Sequence, residues 1–368
     1  MFKALAVPLF RAAGIECNGT RPWDPQILDD RFYRRVLLHG SLGLGDSYID
    51  GWWTCRDIGG MINRLLRSGI PDLVPRFDDL LLKLRSRFVD GQDRVRSKRV
   101  AEEHYNEDPS FFIDVLGRTN SYTCARWDNV DTLDAAQEQK MDLLCRKAEL
   151  APGKTVLDIG CGWGGFLGHA CGSYGVQGIG LSISAPQLEY ARAKYHNLPI
   201  DFRLQDYRDF NGTVDSVVSI CMIEHVGPRH YREYFEKARA ALRDNGIFAL
   251  QCIIARKDRS MNDPWVDRHI FPNGNLVTLD RLRNGVQGLF HILDEEYFGM
   301  DYARTLGAWC DNLVRNRTTI VGTYGIEHFR KYEYYFQAFI GGFRSGRVTV
   351  GQFVLSPTPR PDYVPVRL

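Results

Sequence analysis

The chain has 368 residues, 44% hydrophobic and 25% charged, which is enough apolar sequence for two domains with sizeable cores. Its formal net charge of +2 carries no sign of a nucleic-acid partner. The longest apolar runs, such as 214–223, are broken by Asp215, Ser216 and Ser219 and fall short of the roughly 20 residues a spanning helix needs, so no membrane-crossing segment is expected. Nine cysteines, at 17, 55, 124, 145, 161, 171, 221, 252 and 310, form an odd set without a CxxC pair; reduced thiols in a cytoplasm are expected, with no disulfide frame and no metal site.

Along the chain, residues 1–11 carry Lys3, Arg11 and a short apolar run. This reads as a first amphipathic helix and not as a signal peptide, because the small-residue cleavage pattern is poor. Short helices follow at 29–38 and 58–68, separated by a break at the glycine-rich stretch 40–45. Residues 1–90 are therefore expected to form a small helical domain. The stretch 83–99 holds seven basic residues (Lys83, Arg85, Arg87, Arg94, Arg96, Lys98 and Arg99) against Asp90 and Asp93, and residues 91–103 read as a basic linker. Such a linker is either a solvated hinge or a surface drawn to anionic lipid headgroups.

From residue 134 the pattern alternates: helices at 134–150, 185–195 and 230–243, strands at 155–159, 177–181, 200–205, 215–221 and 247–254. Short apolar strands between helices imply an α/β fold, a mostly parallel twisted sheet covered on both faces and binding ligands at the carboxyl ends of its strands. This second domain is expected over 104–368. Its last hundred residues are rich in aromatics, which serve either as core or as the wall of an apolar pocket.

The sharpest motif is Val156-Leu-Asp158-Ile-Gly160-Cys-Gly162-Trp-Gly164-Gly165, a buried strand running into a glycine-rich turn and the helix 166–171. Glycines here let backbone approach a nucleotide-like ligand, and the following helix offers its positive N-terminus. A dinucleotide site would place an acid at the end of the next strand; Gly180-Leu-Ser182-Ile-Ser184 has none, which weakens a hydride-transfer reading. Asp158 and the Gln205-Asp206-Tyr207 turn instead stand where a methyltransferase grips a methionine amine and an adenine, although Asp206 as a simple turn cap is the alternative.

With residues 40–53, Glu103-His-Tyr105, Tyr122-Thr-Cys-Ala-Arg-Trp127, Glu224-His-Val-Gly227 and Phe271-Pro-Asn-Gly274, these motifs closely resemble the cyclopropane fatty acid synthases, along the length of the chain. The resemblance implies a Rossmann-like class I methyltransferase with a small helical N-terminal domain, S-adenosylmethionine as cofactor, and a cis double bond of a phospholipid acyl chain as substrate. By the same likeness Tyr122, Thr123, Gly160, Gly162, Ser182, Gln187, Asp206 and Tyr207 match cofactor-contacting positions, beside Asp158, Gly164 and Gly165 of the loop. It also implies methyl transfer to the alkene through a carbocation, with a bound bicarbonate as proton acceptor, held at positions matching Cys124, Glu224 and the Ile253 backbone. Glu224 is the foremost catalytic candidate.

The chain departs from that pattern at several places. Gln251 stands where the family has histidine, Cys310 where it has tyrosine, Phe339 where it has a cysteine, and 106–112 replaces a glycine-containing segment. Gln251 is expected to offer an anion its amide donor, without a titratable proton. A dimer on the inner, anionic membrane surface is implied as well. Three readings stand beside ring closure: a methyl- or methylene-branched product with Glu224 as base, methylation of a small-molecule amine as in related plant alkaloid enzymes, and a non-catalytic lipid- or cofactor-binding homologue.

Overall fold

The computed structural model describes residues 1–73, 109–256 and 263–368. The basic stretch 83–99, the 91–103 linker and Glu103-His-Tyr105 lie outside them. The chain divides into a helical unit (Met1–Gly91, Arg259–Gly274, Tyr302–Val348) and a sheet unit (Gln92–Asp258, Asn275–Asp301, Thr349–Leu368).

The first elements are α1 (Phe2–Ala12), β1 (Gln26–Ile27), α2 (Arg31–Ile49), β2 (Trp53–Thr54), α3 (Ile58–Ser68) and α4 (Ile70–Leu73). There follow α5 (Pro109–Leu116), α6 (Leu133–Lys147), β3 (Thr155–Ile159), α7 (Gly165–Tyr174), β4 (Gln177–Ser182), α8 (Ala185–Lys194), β5 (Ile200–Leu204), β6 (Val214–Ile220), α9 (Tyr231–Ala241) and β7 (Leu242–Ala255). The last are α10 (Pro264–His269), α11 (Leu279–Val286), β8 (His291–Tyr297), α12 (Gly299–Arg315), α13 (Arg317–Tyr324), α14 (Ile326–Arg344) and β9 (Val348–Ser356).

The division expected between 1–90 and 104–368 is corrected here: the helical unit also recruits α10 and most of α12, with all of α13 and α14. Close packing of glycines and aromatics causes this. A Cβ at Gly341 of α14 would lie 2.7 Å from the Gly59 carbonyl oxygen, and one at Gly45 of α2 would lie 2.3 Å from the Trp265 ring of α10. Trp265 meets Tyr334 edge-on at 4.7 Å, and Tyr334 packs on Tyr48 and Trp53. Most of the C-terminal aromatics are therefore core of this unit. The break expected over 40–45 reduces to one kink at Gly40 (φ 56°, ψ −124°), because only that residue leaves helical geometry.

In the sheet unit α6 starts where the Thr132 hydroxyl accepts from the Ala135 N–H, and it ends on Arg146 and Lys147, cations suited to a helix C-terminus. Seven strands run in the order β5-β4-β3-β6-β7-β9-β8. The pairs from β5 through β7 are parallel, and β8 pairs antiparallel with β9. Both faces are covered: Val156 packs into one apolar core while its neighbour Leu157 packs into the other, as do Val218 and Val217. Since β4 lies on one side of β3 and β6 on the other, the winding reverses at β3, and its carboxyl end is where such a sheet leaves room for a ligand.

Candidate active site

At the end of β3 the chain turns through Gly160, Gly162 and Gly164, all at positive φ (86°, 52° and 79°), a region only glycine enters freely. The turn is pinned to β4 by Gly160 and Cys161 N–H groups donating to the Leu181 carbonyl at 3.0 and 2.9 Å. Gly165 opens α7 so close to the 119–123 segment that a Cβ there would sit 2.8 Å from the Thr119 carbonyl oxygen. Asp158 is 2% exposed, and its Oδ1 has no hydrogen-bond partner. Burial pushes its carboxyl up to about 7, against the pull of the Lys140 charge. A buried, unpartnered carboxyl oxygen beside a glycine turn fits a cationic amine, as a methionine-derived cofactor would bring.

Further along, Ser182 Oγ accepts from the Ser184 N–H at 3.1 Å and lies 3.4 Å from Gln187 Oε1. Ser184 Oγ is buried without a partner. Tyr207 stands edge-on against Tyr234, centroids 5.5 Å apart. Asp206 does cap a turn: it accepts from the Arg208 N–H at 2.9 Å and holds the Arg208 guanidinium at 2.9 and 2.6 Å. Its oxygens are thus oriented by Arg208, a partner the sequence reading did not name.

The segment 121–124 is held from α6. Lys140 donates to Ser121 Oγ at 2.6 Å and Thr123 Oγ1 at 2.9 Å; Gln137 Nε2 donates to the Thr123 and Ser121 carbonyls at 2.9 and 3.3 Å. Burial pushes the Lys140 ammonium down to about 8, and Gln137 Oε1 has no partner. Sequence reasoning missed both residues. Their signal was present: Gln137, Lys140, Leu144 and Lys147 share one helix face at i, i+3, i+7 and i+10, and all four are fully buried. Tyr122 packs on Phe112, which packs on Trp163 of the glycine turn.

Glu224 sits in a one-turn 3₁₀ segment after β6 and is 7% exposed. Its Oε1 accepts from the Ile253 N–H at 2.7 Å, while Oε2 is buried and unpartnered. Burial raises its carboxyl to about 7, and burial lowers the adjacent His225 to about 4, so no imidazolium pairs with it at neutral pH. Ile253 thus gives its N–H to Glu224 in this structure. Cys221 before it has φ 54°, a strained conformation for a residue with a Cβ, and its N–H donates to the Gln251 carbonyl at 2.7 Å.

The expectation that Gln251 offers its amide to an anion is corrected: Nε2 donates to the Cys124 carbonyl at 3.3 Å and lies 4.0 Å from Cys221 Sγ, and Oε1 accepts from Gln352 Nε2 at 2.9 Å. The Cys124 thiol donates to the Ala125 carbonyl at 3.2 Å. Burial holds the Cys124, Cys221 and Cys252 thiols well above their usual range, so all three stay neutral.

Cys310 lies in the helical unit, buried on α12, where it accepts from Gln337 Nε2 at 3.3 Å; Phe339 packs on Tyr335 in the same unit. A buried phenol does exist on that helix, Tyr302, two turns before Cys310, which the sequence reading counted only among the C-terminal aromatics. Among the described residues no three His, Cys, Asp or Glu side chains cluster to hold a metal, and no helix is long and apolar enough to cross a membrane.

The family model of mycolic acid cyclopropane synthetase matches residues 92–353. The cyclopropane-fatty-acyl-phospholipid synthase of Escherichia coli strain K12 is 37% identical over 353 residues, covering 96% of this chain and 92% of that protein. Two solved structures superpose over 70% of this chain and 98% of their own: the cyclopropane synthase MmaA2 from Mycobacterium tuberculosis (TM-score 0.67, 28% identity) and the mycolic acid cyclopropane synthase CmaA1 complexed with SAH and CTAB (0.66, 27%). The sheet unit accordingly has the Rossmann-like class I methyltransferase fold that the motifs implied.

Proposed function

The chain belongs to the mycolic acid cyclopropane synthetase family and is an S-adenosylmethionine-dependent methyltransferase, and from that premise we propose that it methylates the cis double bond of unsaturated phospholipid acyl chains. When bound, the cofactor supplies an electrophilic methyl group on a sulfonium. Asp158 would hold its ammonium, and the glycine turn with Ser182, Gln187, Asp206 and Tyr207 would cradle the rest. Adding a methyl to an alkene leaves a carbocation on the acyl chain, which must then lose a proton either from the new methyl, closing a ring, or from a neighbouring carbon, leaving a double bond. The single observation that carries this reading is Glu224: a buried carboxyl with one oxygen tied to Ile253, the other unpartnered, and a pKa of about 7. Such a group takes a proton readily near neutrality. The neutral thiols around it leave no thiolate to capture a cation.

A bicarbonate beside Glu224 would compete with the Cys124 carbonyl for the Gln251 amide and with Glu224 for the Ile253 N–H. The stretch 83–99 supports peripheral binding to an anionic membrane face, and the dimer rests on the family resemblance alone. The test is incubation with methyl-labelled S-adenosylmethionine and unsaturated phospholipid vesicles, with and without bicarbonate, followed by mass spectrometry of the acyl chains. A gain of one methylene unit as a ring supports cyclopropanation; the same gain with a double bond moves the product to the branched class. A protein that binds cofactor and labels no lipid refutes the proposal. Co-sedimentation with anionic vesicles at low and high salt tests the surface; binding indifferent to charge and salt removes the electrostatic part.

A further inference from the structure

Gln251 is one link in a buried hydrogen-bonded circuit confined to the sheet unit. From the Cys124 carbonyl it runs to Gln251 Nε2 (3.3 Å), from Gln251 Oε1 to Gln352 Nε2 (2.9 Å) and from Gln352 Oε1 to Lys147 Nζ (2.9 Å). Lys147 continues to Glu296 Oε2 (2.5 Å), and Glu296 Oε1 accepts from Arg126 (2.8 Å). Both ends return to one short segment, at residues 124 and 126, while four different elements supply the links: β7, β9, α6 and β8.

The polarity of the circuit follows from Lys147. An ammonium only donates, so Gln352 must turn its oxygen to it; that sends the Gln352 NH₂ toward Gln251, which must then present its own oxygen there and its NH₂ to Cys124. A fixed charge two hydrogen bonds away along the network thus decides which way the site's amide points. The side chains concerned are nearly inaccessible to water (Gln251 0%, Gln352 1%, Lys147 0% exposed), so no solvent competes for the links.

We propose that Gln352, oriented by Lys147, is a positioning residue that sets the Gln251 amide and through it holds the Cys124 carbonyl beside Cys221, three residues before Glu224. The inference rests on the reading of Glu224 as the proton acceptor. Cofactor contacts at Thr123 are secured separately by Lys140 and Gln137, so the circuit acts on the proton-removal half of the site.

Gln352→Glu tests it. The new carboxylate still accepts from Lys147 but gives no N–H to Gln251, whose amide must turn over and set its oxygen against the Cys124 carbonyl. The expected result is a kcat at least tenfold lower in the labelled-methyl assay, with the S-adenosylhomocysteine dissociation constant within twofold of the parent, at a temperature where melting curves show the variant folded. Gln352→Met removes the same donor without adding charge and serves if the first variant does not fold. A folded variant with the parent's kcat overturns the proposal, as does a parallel fall in kcat and cofactor affinity, or failure of both variants to fold, since each marks a general structural role. A parent that labels no acyl lipid brings down the functional reading and this inference with it, an outcome distinct from a labelling parent matched by its variants.

Discussion

Replacing Glu224 by Gln should make the protein more stable and much less active. The glutamine keeps the length of the side chain and can still accept from the Ile253 N–H, so packing around residue 224 is preserved. What it loses is the ionised form. Glu224 rises from an ordinary 4.5 to about 7 because burial penalises its charge. With the folded-state pKa above the unfolded one, the stabilising contribution is complete below about pH 4.5 and disappears as pH climbs through about 7. Ionising this carboxylate inside the fold costs about 3 kcal/mol, at 1.36 kcal/mol per unit of pKa. Glu224→Gln escapes that cost, so its melting temperature should exceed the parent's at pH 8.5, with the gap closing at pH 5. Activity runs the opposite way. A general base contributes roughly 10²- to 10⁴-fold, so kcat should fall by about that factor and lose the limb on which the parent's rate rises with pH near 7. Calorimetry across pH and a methyl-transfer assay on the same preparations check both halves. A melting-temperature gap that ignores pH, or a variant within threefold of parental kcat, would refute the assignment.

Asp158→Asn should weaken S-adenosylhomocysteine binding by about ten- to a hundredfold, the worth of one charge-assisted hydrogen bond, without loss of melting temperature at pH 8; titration calorimetry reads it. Lys140→Met strips donors from the Ser121 and Thr123 hydroxyls, and cofactor affinity is expected to drop by about tenfold; an unchanged dissociation constant would free the 121–123 segment of any binding role. In the helical unit, Gly341→Ala drives a methyl to within 2.7 Å of the Gly59 carbonyl, so denaturant unfolding should show a loss of about 1–3 kcal/mol.

The parts of this molecule that can be read along the chain are those written in local chemistry. Glycines at 160, 162 and 164 announce a turn of positive φ, and the apolar strand before them needs no distant partner to be recognised. Glu224 is different: its place after a strand is local, but its role came only from the family resemblance. Gln251 shows where local reading stops. Its residue type says donor and acceptor, but its real partners, Cys124 and Gln352, stand 127 and 101 positions away, and only the folded sheet brings them together. Arg208, only two residues from Asp206, was missed for the reverse reason: a basic residue type does not announce its own burial, and the buried pair appears only in the fold. The extent of the helical unit was illegible because α14 carries a helical period compatible with several neighbours, and the choice of α3 depends on a glycine-to-backbone fit at Gly341 and Gly59.

The interleaving of the two units has a consequence for the order in which the polypeptide is made. The helical unit takes its third stretch from 302–348 and the sheet unit a further one from 349 onward, so neither core can be completed before those stretches have been made. Strand β9 is made after β8, yet it lies between β7 and β8, so β8 emerges earlier with its place in the sheet still unbuilt. A ribosome stalled near residue 345 would therefore present two half-formed cores and an unpaired strand edge, a state prone to aggregation. Cutting the gene near residue 90 would fail for the same reason, since the product would lack α10, α12, α13 and α14, against which the first helices close.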